Sequence, residues 1–176
     1  MSISLEQRKM VRQRAGFACE YCGVTETDTA GELTIDHIQP QSKGGNDEID
    51  NLLLCCHRCN SYKADYWPQE PEAPRLWNPR HERADTHFVE LVDGRLFAIT
   101  AMGTFTLQRL RLNRPALLAN RRQRRERSEE ELLLIRLRDI LNLLGQLQSQ
   151  HETLLIQHHA LLQEQQSLVQ LLLSSQ

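Results

Sequence analysis

The stretch that decides the fold begins at Cys19-Glu20-Tyr21-Cys22 and ends at Cys56-His57-Arg58-Cys59, with Leu33-Thr34-Ile35-Asp36-His37 between the two pairs. Each Cys-x-x-Cys pair has the short spacing with which two thiolates bind one tetrahedral ion. Four thiolates, at about 2.3 Å each, fill the coordination sphere of zinc and leave no open position for a substrate. The sequence therefore predicts a structural zinc site whose ligands are Cys19, Cys22, Cys56 and Cys59.

The composition of the chain makes this zinc important for folding. Only 40% of the 176 residues are hydrophobic, and many of the leucines lie in the C-terminal third. The N-terminal part therefore has few apolar residues with which to form a hydrophobic core. A domain of about 60 residues is marginal on burial alone, whereas structural zinc contributes on the order of 10 kcal/mol or more. The cysteine usage fits a reducing compartment, and no signal-like or membrane-length apolar segment is present. We expect a soluble, cytoplasmic protein.

Residues near the cysteines are suited to a second, harder metal. Asp36 and Asn60 offer oxygen donors, which suit magnesium, manganese or calcium. His37 adjoins Asp36 on a strand-like segment, where neighbouring side chains point to opposite faces. One of the two can therefore bind an ion while the other faces a water. An alternative role for Asn60 is to cap the N-terminus of a helix that begins there.

These elements resemble the HNH endonuclease family in its four-cysteine zinc subtype. The resemblance covers roughly residues 5–65. Its motifs are Asp36-His37-Ile38-x-Pro40, Ser42-Lys43-Gly44-Gly45, Asp50-Asn51-Leu52 and Cys59-Asn60. The fold it implies is an α+β, treble-clef-like ββα-metal module.

The resemblance also implies an activity, hydrolysis of DNA phosphodiester bonds, and a role for each site residue. His37 would be the general base, and Asn51 would brace the loop that carries it. Asp36 and Asn60 would hold a catalytic magnesium or manganese ion. The catalytic set is thus His37, Asn51 and Asn60.

Charge is concentrated rather than spread evenly. The segment from Phe105 to Arg127 carries eight arginines and one acid, a local charge of +7, although the whole chain has a net charge of −2. A clustered basic stripe is typical of phosphate contact, but a solvated helix face is an equal alternative. The residues predicted to contact DNA are Lys43, Arg58, Lys63, Arg121, Arg122, Arg124 and Arg125.

Four segments are predicted along the chain. Residues 1–66 form the zinc-stabilised module, 67–80 an extended proline-rich linker, 81–114 a β-hairpin and helix, and 115–176 a long helix. The motifs Leu76-Trp77-Asn78-Pro79-Arg80 and Leu112-Asn113-Arg114-Pro115 resemble a tail common in bacterial HNH proteins. No chemistry is attached to that tail.

The long helix carries a heptad pattern. Apolar residues recur every seven positions at Leu133, Ile140, Leu147, Leu154, Leu161 and Leu168. The positions four residues further on are Leu137, Leu144, His151, His158, Gln165 and Leu172. Such a repeat predicts a coiled coil and a homo-oligomer. A bend or hairpin at Gly145 stays open as an alternative, because glycine costs about 1 kcal/mol in a helix.

The sequence therefore favours a metal-dependent HNH endonuclease with structural zinc. The main alternative is a non-catalytic, zinc-stabilised nucleic-acid-binding module with a coiled-coil assembly tail. That module would need no Asp36, His37 and Asn60 trio, so the trio favours the enzyme. A protein whose main role is assembly through the coiled coil would leave the N-terminal half unexplained.

Overall fold

The computed structural model describes residues 3–174, except for the side chains of residues 171 and 172. Within that range the helices are α1 (Leu5–Arg14), α2 (Glu26–Thr29), α3 (His57–Lys63), α4 (Ala101–Arg109) and α5 (Pro115–Ser174). The strands are β1 (Thr34–His37), β2 (Leu52–Cys55), β3 (Phe88–Glu90) and β4 (Leu96–Ala98). The predicted mixture of helices and small sheets is confirmed. In this range no helix has the length and apolar character needed to cross a membrane.

Helix α1 begins and ends as its sequence predicts. The Ser4 hydroxyl accepts a hydrogen bond from the backbone N–H of Gln7, and the Gln7 side chain accepts one from the backbone of Ser4. This reciprocal capping box satisfies two backbone donors that a helix start leaves free. After the helix, Gly16 has φ +58°, a backbone conformation that glycine adopts without steric cost. Arg14 then donates to the carbonyls of Ile49 and Leu52 and ties α1 to β2.

Strands β1 and β2 form a two-stranded antiparallel sheet, in which Asp36 lies opposite Leu53 and His37 opposite Leu52. All four residues of β2 are buried, which explains their continuous apolar sequence. A 3₁₀ turn precedes β2, and α3 begins two residues after β2 ends. The cap of α3 is Cys56. The predicted helix start at Asn60 is therefore wrong, because Asn60 lies inside the helix.

The segment predicted as an extended linker is part of the hydrophobic core. Trp77 is buried and packs edge-on against both Tyr21 and Phe88, with ring centroids 6.2 and 5.5 Å away. Its backbone N–H donates to the hydroxyl of Thr106 in α4. Residues 67–114 thus belong to the same core as the zinc-binding cysteines. The compact unit accordingly spans Met1–Arg125 and does not end at the predicted boundaries of 66, 80 or 114.

The predicted hairpin is present, with Val89 of β3 opposite Phe97 of β4. Helix α4 begins three residues after β4 ends, and its cap is Thr100. The Thr100 hydroxyl accepts a hydrogen bond from the N–H of Gly103 at 3.0 Å.

Helix α5 begins at Pro115, as predicted, and is continuous past Gly145. Its residues from Glu126 onward form a second compact unit, Glu126–Gln176. Every described side chain of that unit is exposed. The predicted segment 115–176 and its heptad position Leu172 extend beyond the described residues and side chains.

Arg121 lies on the first part of α5 and is buried, with 3% of its surface exposed. Its guanidinium donates to the carbonyls of Gly94 and Leu112 at 3.0 and 2.8 Å. Burial lowers the pKa of Arg121. The side chain therefore fastens the β3–β4 turn to α5, which leaves little of its surface for the predicted contact with DNA.

We expect Arg121→Met to lower the free energy of unfolding by about 2–4 kcal/mol, because two charge-assisted hydrogen bonds are lost and two carbonyls lose their donor. Urea denaturation of the full chain measures this. Arg122→Met is the matched control, since Arg122 is exposed on the next helix position and its loss should change stability by no more than about 0.5 kcal/mol. Equal effects of the two substitutions would contradict the structural role of Arg121.

Candidate metal centre and active site

The four predicted zinc ligands come together. The sulfur atoms of Cys19, Cys22, Cys56 and Cys59 all lie within 4.8 Å of one another and are buried. Those of Cys22 and Cys56 are 3.7 Å apart. Four sulfurs around one zinc ion are separated by about 3.8 Å when each Zn–S bond is about 2.3 Å. The donor set and its spacing therefore fit a closed structural zinc site.

The opposite pKa shifts of neighbouring thiols also favour a bound cation. Neighbouring thiols, led by Cys22, donate hydrogen bonds to the sulfur of Cys19 and hold its pKa well below the usual range. The same bonds to Cys19 raise the pKa values of Cys22 and Cys59. One thiolate therefore suppresses ionisation of the others. A divalent cation removes this conflict because it stabilises all four thiolates together.

The cluster fixes α3 against the sheet. Cys56 caps α3, its sulfur accepting from the backbone N–H of Cys59. At the first cysteine pair, Glu20 exchanges two hydrogen bonds with Leu54 of β2, through its backbone N–H and its carboxylate. The Glu20 carboxylate is buried and pairs with Arg80. Both cysteine pairs are thus anchored to β2, the strand that pairs with β1, on which Asp36 and His37 lie.

His37 lies at the end of β1, where its ring contacts an acid that the sequence interpretation missed. The Nε2 atom of His37 is 2.8 Å from the Oδ1 atom of Asp47, and both side chains are largely buried. This hydrogen bond is the main reason why the pKa of Asp47 is lowered, so Asp47 is an ionised acceptor. The Gln41 side chain also donates to Asp47 at 2.7 Å. The only sequence signal was an acid at the end of the glycine-rich loop.

Asn51 braces the two sides of this loop. Its carboxamide accepts from the backbone N–H of Gln39 at 2.8 Å and donates to the carbonyls of Gln39 and Asn46 at 3.1 and 2.8 Å. Gln39 follows His37 by two residues, and Asn46 precedes Asp47. Gly45 is required here, because a Cβ atom would lie 1.8 Å from the Gln39 carbonyl oxygen. The contacts of Asn51 are with the backbone and position the His37–Asp47 pair.

Asp36 is directed toward α3, where its carboxylate faces the ammonium group of Lys63. Its Oδ2 atom is buried, accepts no hydrogen bond from the described residues, and lies 3.1 Å from the Nζ atom of Lys63. Its Oδ1 atom accepts from the backbone N–H of His37. Lys63 is only 1% exposed. Its ammonium group is enclosed and paired with Asp36, which leaves little of Lys63 exposed for the predicted contact with DNA.

Asn60 lies three residues before Lys63 on α3, and residues three apart share one face of a helix. It is partly exposed, and its carboxamide makes no hydrogen bond with the residues that the structure describes. Because Cys56 caps the helix, the alternative role of Asn60 as a cap is wrong. Carboxylate and amide oxygens such as those of Asp36 and Asn60 are donors of the type that magnesium or manganese prefers.

The other basic residues predicted to contact DNA differ in exposure. Lys43, Arg58, Arg122 and Arg124 are exposed, and Arg125 is partly buried. Arg124 also lies 3.5 Å from the carboxylate of Glu90. Two arginines before α5 are drawn inward: Arg109 packs over the ring of Tyr66, and Arg114 contacts cysteine sulfurs. The basic stripe is therefore partly structural.

Comparison with known proteins gives matches to part of the chain. Residues 19–65 match the model of a family described as HNH endonuclease. A segment of 54 residues is 39% identical to the CRISPR-associated endonuclease Cas9 of Corynebacterium diphtheriae. That segment is 30% of this chain but only 5% of the relative. No solved structure shows a significant match. Residues 19–65 are thus similar to the HNH endonuclease family, and the four clustered cysteines fit its zinc-binding subtype.

Proposed function

We propose that this protein is a metal-dependent endonuclease that hydrolyses DNA phosphodiester bonds through a ββα-metal, treble-clef-like module. The observation that carries the proposal is the His37–Asp47 pair at the end of β1, adjacent to Asp36. A histidine oriented by a carboxylate beside oxygen donors for a cation is an arrangement suited to activating water against a phosphodiester.

Asp47 determines which nitrogen of His37 acts as the base. An ionised carboxylate can only accept hydrogen bonds, so the Nε2 atom of His37 carries the proton that Asp47 accepts. The Nδ1 atom then keeps its lone pair and takes a proton from a water molecule. The carboxylate also stabilises the imidazolium that results. Asn51 holds the loops on both sides of this pair and so serves as a positioning residue.

Asp36 and Asn60 would hold the catalytic cation. A divalent cation held there would supply electrostatic stabilisation of the negative charge that develops on the phosphate and on the leaving 3′ oxygen. Lys63 lies beside the same carboxylate oxygen and keeps the charge of Asp36 balanced. We infer that Lys63 and the cation compete for Asp36 or share it.

The exposed basic residues would make the contacts with DNA. Lys43 lies on the loop between His37 and Asp47, and Arg58 lies on α3 two residues before Asn60. Both would reach phosphates near the cleavage site. Arg122, Arg124 and Arg125 would contact the backbone from α5. Such contacts hold the duplex in register and carry little sequence information.

A second candidate is a zinc-stabilised binding module without catalysis, assembled through its helical tail. The exposed basic residues support it equally well. The His37–Asp47 pair does not, since a binder gains nothing from a buried histidine with one nitrogen committed to a carboxylate. We therefore favour the enzyme.

We also propose that the chain forms a homo-oligomer through a coiled coil. Leu133, Leu147 and Leu161 are each about 60% exposed, although they belong to a heptad repeat. A single helix gains most of its stability from packing its apolar face. A second copy of the chain would cover this face, and two modules in one dimer would suit cleavage of both DNA strands.

We expect His37→Ala to lower the rate of cleavage of supercoiled plasmid by about 10²- to 10⁴-fold, the usual range for a general base, with DNA binding retained. Cleavage should require added magnesium or manganese. Asp47→Asn should also slow cleavage strongly, because an asparagine amide can donate to Nε2 and select the wrong tautomer. Glu48→Gln is the control, an exposed acid next to Asp47. Cleavage by His37→Ala at the parent rate would refute the mechanism.

We expect Lys63→Met to lower the free energy of unfolding by about 3 kcal/mol in the absence of added divalent ions, because Asp36 is left buried without a charge partner. Added manganese should restore more stability to this variant than to the parent. Thermal unfolding with and without manganese measures both effects. The control Lys43→Met should weaken DNA binding without changing stability. Loss of DNA affinity in Lys63→Met with unchanged unfolding would contradict the burial argument.

We expect the substitution of Leu147 and Leu154 by glutamate, in the full chain, to convert a dimer or higher oligomer into a monomer, because like charges then face each other across the seam. Light scattering gives the mass. Ser149→Glu is the control, since position 149 lies on the opposite side of the helix from the repeat. A parent chain that is already monomeric would rule the coiled coil out.

A further inference from the structure

The motif Leu112-Asn113-Arg114-Pro115 has no part in the mechanism above, but the structure gives one of its residues a specific contact. Arg114 lies in the turn between α4 and α5. Its Nη2 atom is 3.8 Å from the sulfur of Cys56 and 3.9 Å from that of Cys59, and its Nη1 atom is 3.9 Å from Cys59. These are the two cysteines of the second Cys-x-x-Cys pair.

Charge explains why such a contact is useful. Four thiolates around one divalent zinc leave a net charge of −2 in a buried place. Hydrogen bonds to ionised acceptors are stronger than neutral ones, and a guanidinium is charged at every physiological pH. The forked group of Arg114 places two donor nitrogens against two sulfurs at once. It therefore offsets part of the charge where burial makes that charge costly.

The guanidinium is also held in place. Its Nη1 atom donates to the carbonyls of Leu110 and Arg111 at 3.3 and 3.4 Å, and its carbon lies 5.9 Å from the centre of the Tyr62 ring. Tyr62 belongs to α3, the helix that follows Cys56. Arg121 fixes the neighbouring Leu112 carbonyl. The contact with the sulfurs is thus one part of a fixed arrangement.

We infer that Arg114 is a positioning residue of the zinc site, which stabilises the thiolates of Cys56 and Cys59 and slows the loss of the metal. This inference rests on the zinc proposed above but is independent of the nuclease activity. It makes the segment after residues 19–65 a functional part of the metal centre. Zinc bound more tightly in this way would hold α3, and with it Asn60 and Lys63, in position.

The test uses the full chain with Arg114→Met, and Arg111→Met as the matched control. Arg111 packs over the same Tyr62 ring, at 4.9 Å, and among the described contacts has none with a cysteine sulfur. Transfer of zinc to a coloured chelator is followed with time. Because removal of an outer partner of a metal ligand typically costs 10- to 100-fold in affinity, we expect zinc release to be faster by about that factor in Arg114→Met and near the parent rate in Arg111→Met.

A spectroscopic measurement separates this role from simple packing. In cobalt-substituted protein, loss of a cationic donor raises the electron density on the thiolates, so the sulfur-to-cobalt charge-transfer band should move to lower energy in Arg114→Met only. Arg114→Lys keeps the charge but not the fork and should release zinc at an intermediate rate.

Three results would overturn the inference. The first is that Arg114→Met leaves both the zinc release rate and the charge-transfer band unchanged. The second is that Arg111→Met changes both as much as Arg114→Met does. The third applies if Arg114→Met does not fold, and is that Arg114→Lys releases zinc at the parent rate. Absence of zinc from the parent protein would remove its premise. None of these results depends on DNA cleavage.

Discussion

The structure depends on four thiol groups that lie within 4.8 Å of one another in a part of the chain with few apolar residues. Their ionisation is mutually opposed unless a cation is present. Cys56 caps α3 and Cys59 lies in its first turn, while the first pair is bound to β2 through Glu20. The metal that these ligands fit therefore joins a loop, a strand and a helix that have little other reason to associate. The positions of Asp36 and Asn60 relative to each other follow from this one cluster.

The site depends on a second constraint, the short loop between His37 and Asp47. The three hydrogen bonds of the Asn51 carboxamide are all with backbone groups on the two sides of that loop. Gly45 permits the backbone to lie close to the carbonyl of Gln39. A histidine at the end of a two-stranded sheet would otherwise have a partner on a loop with few constraints. Here the acid reaches Nε2 only because the loop is closed by amide and backbone hydrogen bonds. Rigidity in this small module thus comes from polar contacts more than from core volume.

Sequence reasoning succeeded where the signal is local. The spacing of the cysteines, the Ser4–Gln7 capping box and Pro115 at the start of α5 are each determined by neighbouring residues. It failed where a contact joins distant parts of the chain. The pairing of His37 with Asp47 needs the closed loop, and that of Asp36 with Lys63 needs the packing of α3 on β1. Trp77 looked like part of a linker, because the prolines around it are typical of extended segments and the aromatic partners lie far away in sequence.

The arginines show why the charge counted along a sequence overestimates the charge that is exposed for contact with nucleic acid. Arg109, Arg114 and Arg121 belong to the stripe with a local charge of +7, yet their guanidinium groups bind backbone carbonyls, aromatic rings and cysteine sulfurs. Each carries a long apolar stem and several donors, so it can join elements that a small core cannot hold together. The same property that suits arginine to phosphate suits it to thiolates and carbonyl groups. Part of the positive charge of this stripe is therefore directed inward, and only the remaining exposed arginines have free surface for the DNA contact proposed above.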